Sequence, residues 1–206
     1  MIPAVAIIPA RGGSKRLPRK NLHPVLGQPM IAWVIRACQS SAHLQGHVYV
    51  STEDAEMRDA AQAWGALVID RPMALAGDDV PKQAAIIHAV EHLQRQGTTP
   101  DIVVSVQPNS PELTGAMLDA GIEKLLAHQL WEVFSVDPQL VQNGAFRVLR
   151  RSTVFQQMPS VHCGVIIVDC LDIHTREDAL AAEGRLRARG AHLEPPVAAV
   201  PPARSR

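Results

Sequence analysis

Residues 10 to 21 hold the densest chemistry in the chain. Arg11, Lys15, Arg16, Arg19 and Lys20 surround the pair Gly12-Gly13, directly after the apolar run Val5 to Ile8. Adjacent glycines can take backbone angles closed to other residues, so successive N–H groups can turn inward on an anion. The cations supply the charge that a polyphosphate demands. A tight surface turn with solvated charges would look similar. The position of the loop, at the exit of the first strand of an α/β sheet, favours a ligand site. Three further places carry chemistry. Arg71, followed by Pro72, puts a guanidinium at a strand mouth, where it could grip phosphate or a substrate acid in a bidentate way. Gln107-Pro108-Asn109-Ser110-Pro111 offers amides and a hydroxyl on a loop stiffened by two prolines, suited to a base or a sugar hydroxyl. Ser110 and Pro111 also read as the N-cap and first position of a helix. Asp172 and His174, two residues apart in an extended segment, project to the same side, as metal ligands or as groups beside a helix cap.

The elements that must position these residues alternate strand and helix. The spacing predicts strands at 5–8, 47–51, 66–69 and 101–106, the last the most apolar and central. Helices are expected at 30–40, 54–64, 81–96 and 115–128. Strand 131–136 then completes the sheet on one side. Residues 137–160 yield no assignment: Gln142 to Arg147 reads as a turn, and Arg150-Arg151 as a solvated charge pair. A last strand, 163–168, precedes Thr175 and Asp178, an N-cap pair opening a helix over 176–189. This rhythm predicts an α/β fold, a three-layer α/β/α sandwich with a mostly parallel, Rossmann-like sheet, as one domain over 1–190. Residues 191–206, with four prolines, are expected to be a disordered tail.

Composition narrows the classes of function. With 20 basic and 20 acidic residues among 206, no global field draws the chain to nucleic acid or to a membrane surface. No apolar run approaches the ~20 residues that span a bilayer. Cys38, Cys163 and Cys170 are odd in number and sit in apolar segments, which fits reduced thiols in a cytoplasm.

The cation loop is neither the P-loop nor the dinucleotide fingerprint. It resembles the A-R-x-G-S-K-x-x-x-x-K-N signature of the cytidylyltransferases that make CMP-activated acidic sugars, the CMP-N-acetylneuraminate synthetase family. Here it reads Ala10, Arg11, Gly13, Ser14, Lys15, Lys20, Asn21, with Gly12 at the open position. The resemblance extends through Val50-Ser51-Thr52-Glu53, Arg71-Pro72 and Leu75-Ala76-Gly77-Asp78. It implies a Rossmann-like nucleotidyltransferase fold, CTP and an acidic sugar such as a nonulosonic acid as partners, Mg²⁺ or Mn²⁺ as cofactor, and a homodimer. It also implies nucleotide binding by residues 10–15, Lys20, Asn21 and Arg71, and substrate binding by Gln107, Asn109 and Ser110. Arg11, Lys20 and Asp172 become the catalytic candidates, with Asp172 and His174 at the metal. Asn109 replaces the threonine of the family's Q-P-T-S-P-x-R and keeps a hydrogen-bonding group, while two other departures change the chemistry. Leu113 stands where the family's Q-P-T-S-P-x-R has its arginine, and His174 where D-I-D-T-x-E-D has its second aspartate. Those departures keep two other readings open: a nucleotidyltransferase for another sugar or a polyol phosphate, and a nucleotide-binding homologue without turnover.

Overall fold

Residues 4–14, 16–157 and 160–195 are described in the computed structural model of the chain. Alternation in the first strand, β1 (Ala4–Pro9), puts Ala4, Ala6 and Ile8 in one core cluster and Val5 and Ile7 in another. A strand apolar on both faces has to be covered on both. After a 3-10 turn, Lys20–Leu22, the short strands β2 (Pro24–Val25) and β3 (Gln28–Pro29) pair as a separate hairpin. Then follow α1 (Met30–Gln39), β4 (Val48–Thr52), α2 (Ala55–Ala63), β5 (Leu67–Asp70), α3 (Lys82–Arg95), β6 (Ile102–Val106) and α4 (Gly115–Ala127). The chain continues with β7 (Glu132–Val136), β8 (Gln142–Arg150), α5 (Arg151–Val154), β9 (Cys163–Ile167) and α6 (Arg176–Ala188).

Seven strands make one sheet in the order β5-β4-β1-β6-β8-β7-β9, parallel except for β8, which runs against both its neighbours. Helices α1, α2 and α4 bury Ile31, Ile35, Met57, Leu118 and Ile122 against one face. On the other, α3 and α5 bury Ile86, Val90, Leu93 and Val154 against Val5, Ile7, Val103 and Leu149. Helix α6 makes a third cluster, with Ala179, Ala182 and Leu186 around Met30, Trp33 and Ile173. At about 0.8 kcal/mol per buried methylene, such two-sided burial is the main favourable term.

The α/β sandwich and the central place of β6 agree with the sequence reading. Two expectations do not survive. Residues 142–150 are neither turn nor solvated pair but β8, inserted between β6 and β7, so the strand at 132–136 is internal and β9 is the edge. Ser110 does not cap a helix: α4 begins at Gly115, and Thr114 is the N-cap, its hydroxyl accepting from the Met117 N–H. Of the expected tail, 191–195 is described, and Leu193 packs against the core; residues 196–206 lie outside the described residues.

Candidate active site

Parallel strands finish at one edge, so the loops after β1, β4 and β6 meet there. Ala10 is buried, and its N–H bonds Ser51 O at 3.0 Å, continuing the β1–β4 ladder past the strand end. The next step turns on Gly12. A Cβ at Gly12 would stand 2.4 Å from Asp54 Oδ2, so only glycine lets the loop come this close to the N-cap of α2. Its N–H is donated to Glu53 at 2.9 Å. Glu53 also accepts Nε (3.1 Å) and Nη2 (2.5 Å) of the buried Arg71. Burial alone would raise the Glu53 carboxyl, but the bonds from Arg71 and Gly12 outweigh it and its pKa falls below the usual range. Farther along, Arg19 grips Asp54 with both terminal nitrogens, at 2.7 and 3.0 Å, and also bonds Glu56. Asn21 Nδ2 donates to Arg11 O at 3.3 Å, leaving its buried Oδ1 without a partner among the described residues.

The loop after β6 does a different job: it holds residues 171–174. Ile173 N–H bonds Asn109 O at 3.1 Å, and Asn109 Nδ2 donates to Ile173 O at 2.9 Å and to Asp172 Oδ1. Glu112, fully buried, accepts the Leu171 N–H at 3.0 Å and is ion-paired with the Arg185 guanidinium of α6 at 2.7 Å. The capping box of Thr175 and Asp178 starts α6 where the sequence places it, and Asp178 also accepts the His174 N–H. Held from both sides, Asp172 turns its second oxygen to His174 Nε2 at 2.9 Å.

Two adjoining cavities open at this edge. The inner one, about 160 Å³, is lined by Gly13, Ser14, Asn21, Gln107 and Asn109 with three cations, Arg11, Lys20 and Lys82, and by no carboxylate. The outer one, about 240 Å³, has apolar walls from Leu75, Val80 and Ala85, with Arg71 and Asp78. Ser14, Arg16, Lys20 and His174 border a further hollow beside the inner cavity. Desolvation, most of all, lowers the Lys20 pKa; Asp172 opposes the shift and Arg11 adds to it. Lys82 is lowered first by desolvation and then by Arg147. Another cavity, about 590 Å³ between α1, α6 and residues 111–114, is lined by none of the expected site residues.

The edge thus gathers Arg11, Gly13, Ser14, Lys20, Asn21, Gln107 and Asn109 around one cavity, with Asp172 bonded to Asn109 and His174 to Asp172. Lys15 lies outside the described residues. Gly12 and Gly13 are not in the left-handed region, so the expected glycine-angle cradle is replaced by a close approach to Asp54, and the Gly12 N–H serves Glu53. Arg19, by its bonds to Asp54 and Glu56, anchors the loop. Arg71 faces the outer cavity, but its guanidinium is committed to Glu53. Ser110 is buried at 1% exposure, a support beneath the loop. Leu113, at the family's arginine position, is a core residue at 5% exposure.

Sequence reasoning missed Lys82, Glu53 and Glu112. Lys82 did leave a signal: a cation in the first turn of a helix opposes the helix dipole and invites another explanation. Glu53 showed only as the end of Val50-Ser51-Thr52-Glu53, and the buried Glu112 left no signal, since Leu171 and Arg185 are far away in sequence.

A parallel sheet whose C-terminal edge opens on a cation-lined cleft is the frame of a nucleotide-binding α/β protein. Residues 5–170 match the cytidylyltransferase family, and the chain belongs to it. It is 35% identical to N-acylneuraminate cytidylyltransferase A of Danio rerio over 131 residues, 64% of this chain and 29% of the relative. Identity to pseudaminic acid cytidylyltransferase of Campylobacter jejuni is 36% over 126 residues, 61% of this chain and 54% of the relative. The matched part of the chain therefore spans only 29% to 54% of the length of these relatives. The fold is shared with CMP:2-keto-3-deoxy-manno-octonic acid synthetase solved with CTP, at a TM-score of 0.75 and 18% identity, covering 91% of this chain and 99% of that one. No helix among the described residues is long and apolar enough to cross a membrane.

Proposed function

We propose that the chain transfers CMP from CTP to a hydroxyl of an acidic sugar of the nonulosonic or octulosonic class and releases pyrophosphate. One observation carries this: the inner cavity is lined by Arg11, Lys20 and Lys82 with no carboxylate, a charge arrangement that suits a phosphate chain. The outer cavity, apolar on its walls and polar at Arg71 and Asp78, suits the cytosine and ribose. The relatives, named for acylneuraminate and pseudaminic acid, support an acidic acceptor.

In this reading Arg11 and Lys20 bind the triphosphate, residues 10–14 and Asn21 hold its shape, and Gln107 faces the acceptor side. Lys20, deprived of water, binds an anion more strongly than a solvated lysine would. The acceptor oxygen attacks the α-phosphorus as the bond to pyrophosphate breaks. Catalysis comes mostly from positioning and charge neutralisation. Asp172 fits a divalent cation: Mg²⁺ binds through one or two carboxylates plus substrate phosphates, and the His174 imidazole suits Mn²⁺ better. The described residues contain no group of three His, Cys, Asp or Glu that could hold such an ion alone, so Asp172 would hold it together with oxygens of the substrate phosphates. Such an ion, when bound, supplies positive charge at the phosphates.

The same reading makes the protein a cytoplasmic homodimer. The free thiols of Cys38, Cys163 and Cys170 support a reducing compartment. A second copy fits the edge strand β9, where Cys163, Val165 and Ile167 line one exposed side and Val161, next to it, is 90% exposed. An edge strand with an apolar side is a ready surface for self-association.

The test is pyrophosphate release from CTP with Mg²⁺ or Mn²⁺ and a panel of nonulosonic acids and 3-deoxy-octulosonate. No release across panel and metals refutes the transfer. The bond between His174 and Asp172 favours one second reading, a nucleotide-binding homologue without turnover. It predicts CTP binding with no pyrophosphate released even by His174→Asp.

A further inference from the structure

The two cavities share three lining residues, Pro9, Arg11 and Lys82, so these mark the junction between them. If the outer cavity takes the nucleoside and the inner one the pyrophosphoryl end, the group at the junction is the α-phosphate, where the reacting phosphorus lies. The two shared cations differ in what else they hold. Arg11 is bonded to Asp78 at 2.5 Å. Lys82 donates no hydrogen bond and forms no ion pair among the described residues, although its side chain is open to the cleft. It is also poorly compensated. Helix α3 starts with it and has no acid in its first turn, so the positive end of the helix dipole adds to the lysine. Arg147 acts on it as a like charge and Asp172 as the opposing one. An ammonium kept at such a place without a partner has a reason to be there when an anion arrives.

We propose that Lys82 is a catalytic residue of this site, binding a non-bridging oxygen of the α-phosphate and stabilising the charge gathered there during transfer. In that step the acceptor hydroxyl oxygen forms a bond to the α-phosphorus and its proton goes to solvent. The phosphorus–oxygen bond to pyrophosphate breaks, and pyrophosphate leaves with the electron pair. The proposal rests on the CTP reading above and adds to it the residue at the reacting phosphorus, a role that neither composition nor the loop signature assigns.

Calorimetry with cytidine, CMP and CTP on the wild type, Lys82→Ala and Lys82→Arg separates the two claims. The wild type is expected to bind CMP more tightly than cytidine. Lys82→Ala should lose roughly tenfold in CMP affinity, the scale of one charged hydrogen bond, with cytidine affinity unchanged and Lys82→Arg close to wild type. Equal CMP affinity in wild type and Lys82→Ala overturns the proposal and leaves the CTP reading intact. A wild type that binds none of the three removes the CTP reading itself. In turnover, Lys82→Ala should lower kcat at saturating CTP and leave the acceptor KM unchanged. A loss confined to the acceptor KM overturns the assignment to the α-phosphate.

Discussion

The two ends of the sheet are built to different plans. From β5 to β6 the strands run parallel, helices cover both faces, and the strand ends converge on the cavities. From β8 to β9 one strand is reversed, α4 covers one face, and the edge strand leaves Cys163, Val165 and Ile167 exposed. The first half keeps its charges in pairs at the strand ends: Glu53 with Arg71, Asp54 with Arg19. The second pairs the buried Glu132 with a partly exposed Arg147 across neighbouring strands, and Arg147 also lies 5.2 Å from the Phe134 ring centre. On the reading proposed above, ligand chemistry falls to one half and association to the other, and substitutions should divide in the same way.

The largest effect is expected from Lys20→Ala, which removes a cation from the inner cavity. Turnover should fall by more than about tenfold, within the range for one preorganised charge, with the fold unchanged by circular dichroism. Wild-type rates would take the loop out of the mechanism. Next, Glu53→Gln leaves the buried Arg71 without its carboxylate, which should cost about 3–5 kcal/mol in urea unfolding at pH 7. The pH dependence sharpens this. Because the folded Glu53 pKa is depressed, its contribution is complete above the ordinary glutamate value of about 4.3 and is lost as pH falls through the folded value. The gap between wild type and Glu53→Gln should therefore close in acid; a gap constant from pH 7 to 3 would show that the pair is not coupled to protonation. A smaller change is expected from His174→Asp, which restores a hard oxygen donor beside Asp172 and should raise the ratio of Mg²⁺-supported to Mn²⁺-supported turnover. Smallest in the fold is Ile167→Lys on β9, within about 0.5 kcal/mol by unfolding because the side chain is already 58% exposed. It should nevertheless shift sedimentation from dimer to monomer; an unchanged sedimentation coefficient would place association elsewhere.

The parallel half was legible because strand and helix periods there follow one another without conflict. Thr175 is the N-cap that the sequence predicts, Asp54 is a residue type preferred at that position, and both side chains accept a capping N–H. Strand β8 was hidden for physical reasons. Gln142, Asn143 and Gly144 are turn formers, and Gly144 has φ +70°, close to Gln107. Arg147, in mid-strand, becomes compatible with a sheet only through Glu132 and Phe134, which belong to a different segment. The site divides along the same line. The cations of residues 11–20 advertise themselves by local density. Which of them are free for a ligand is decided by Asp54, Glu56 and Asp78, 35 to 67 positions away, and no local pattern records that.

The hold of Asn109 and Glu112 on residues 171–173 sets an order of events during synthesis. A nascent chain that has emerged through β6 already carries the cation loop and its anchors, while Asp172 is still to be translated. Since chains fold from the N-terminus as they emerge, the half with the cation loop can form first, and Asp172 joins it only when α6, the last helix among the described residues, docks.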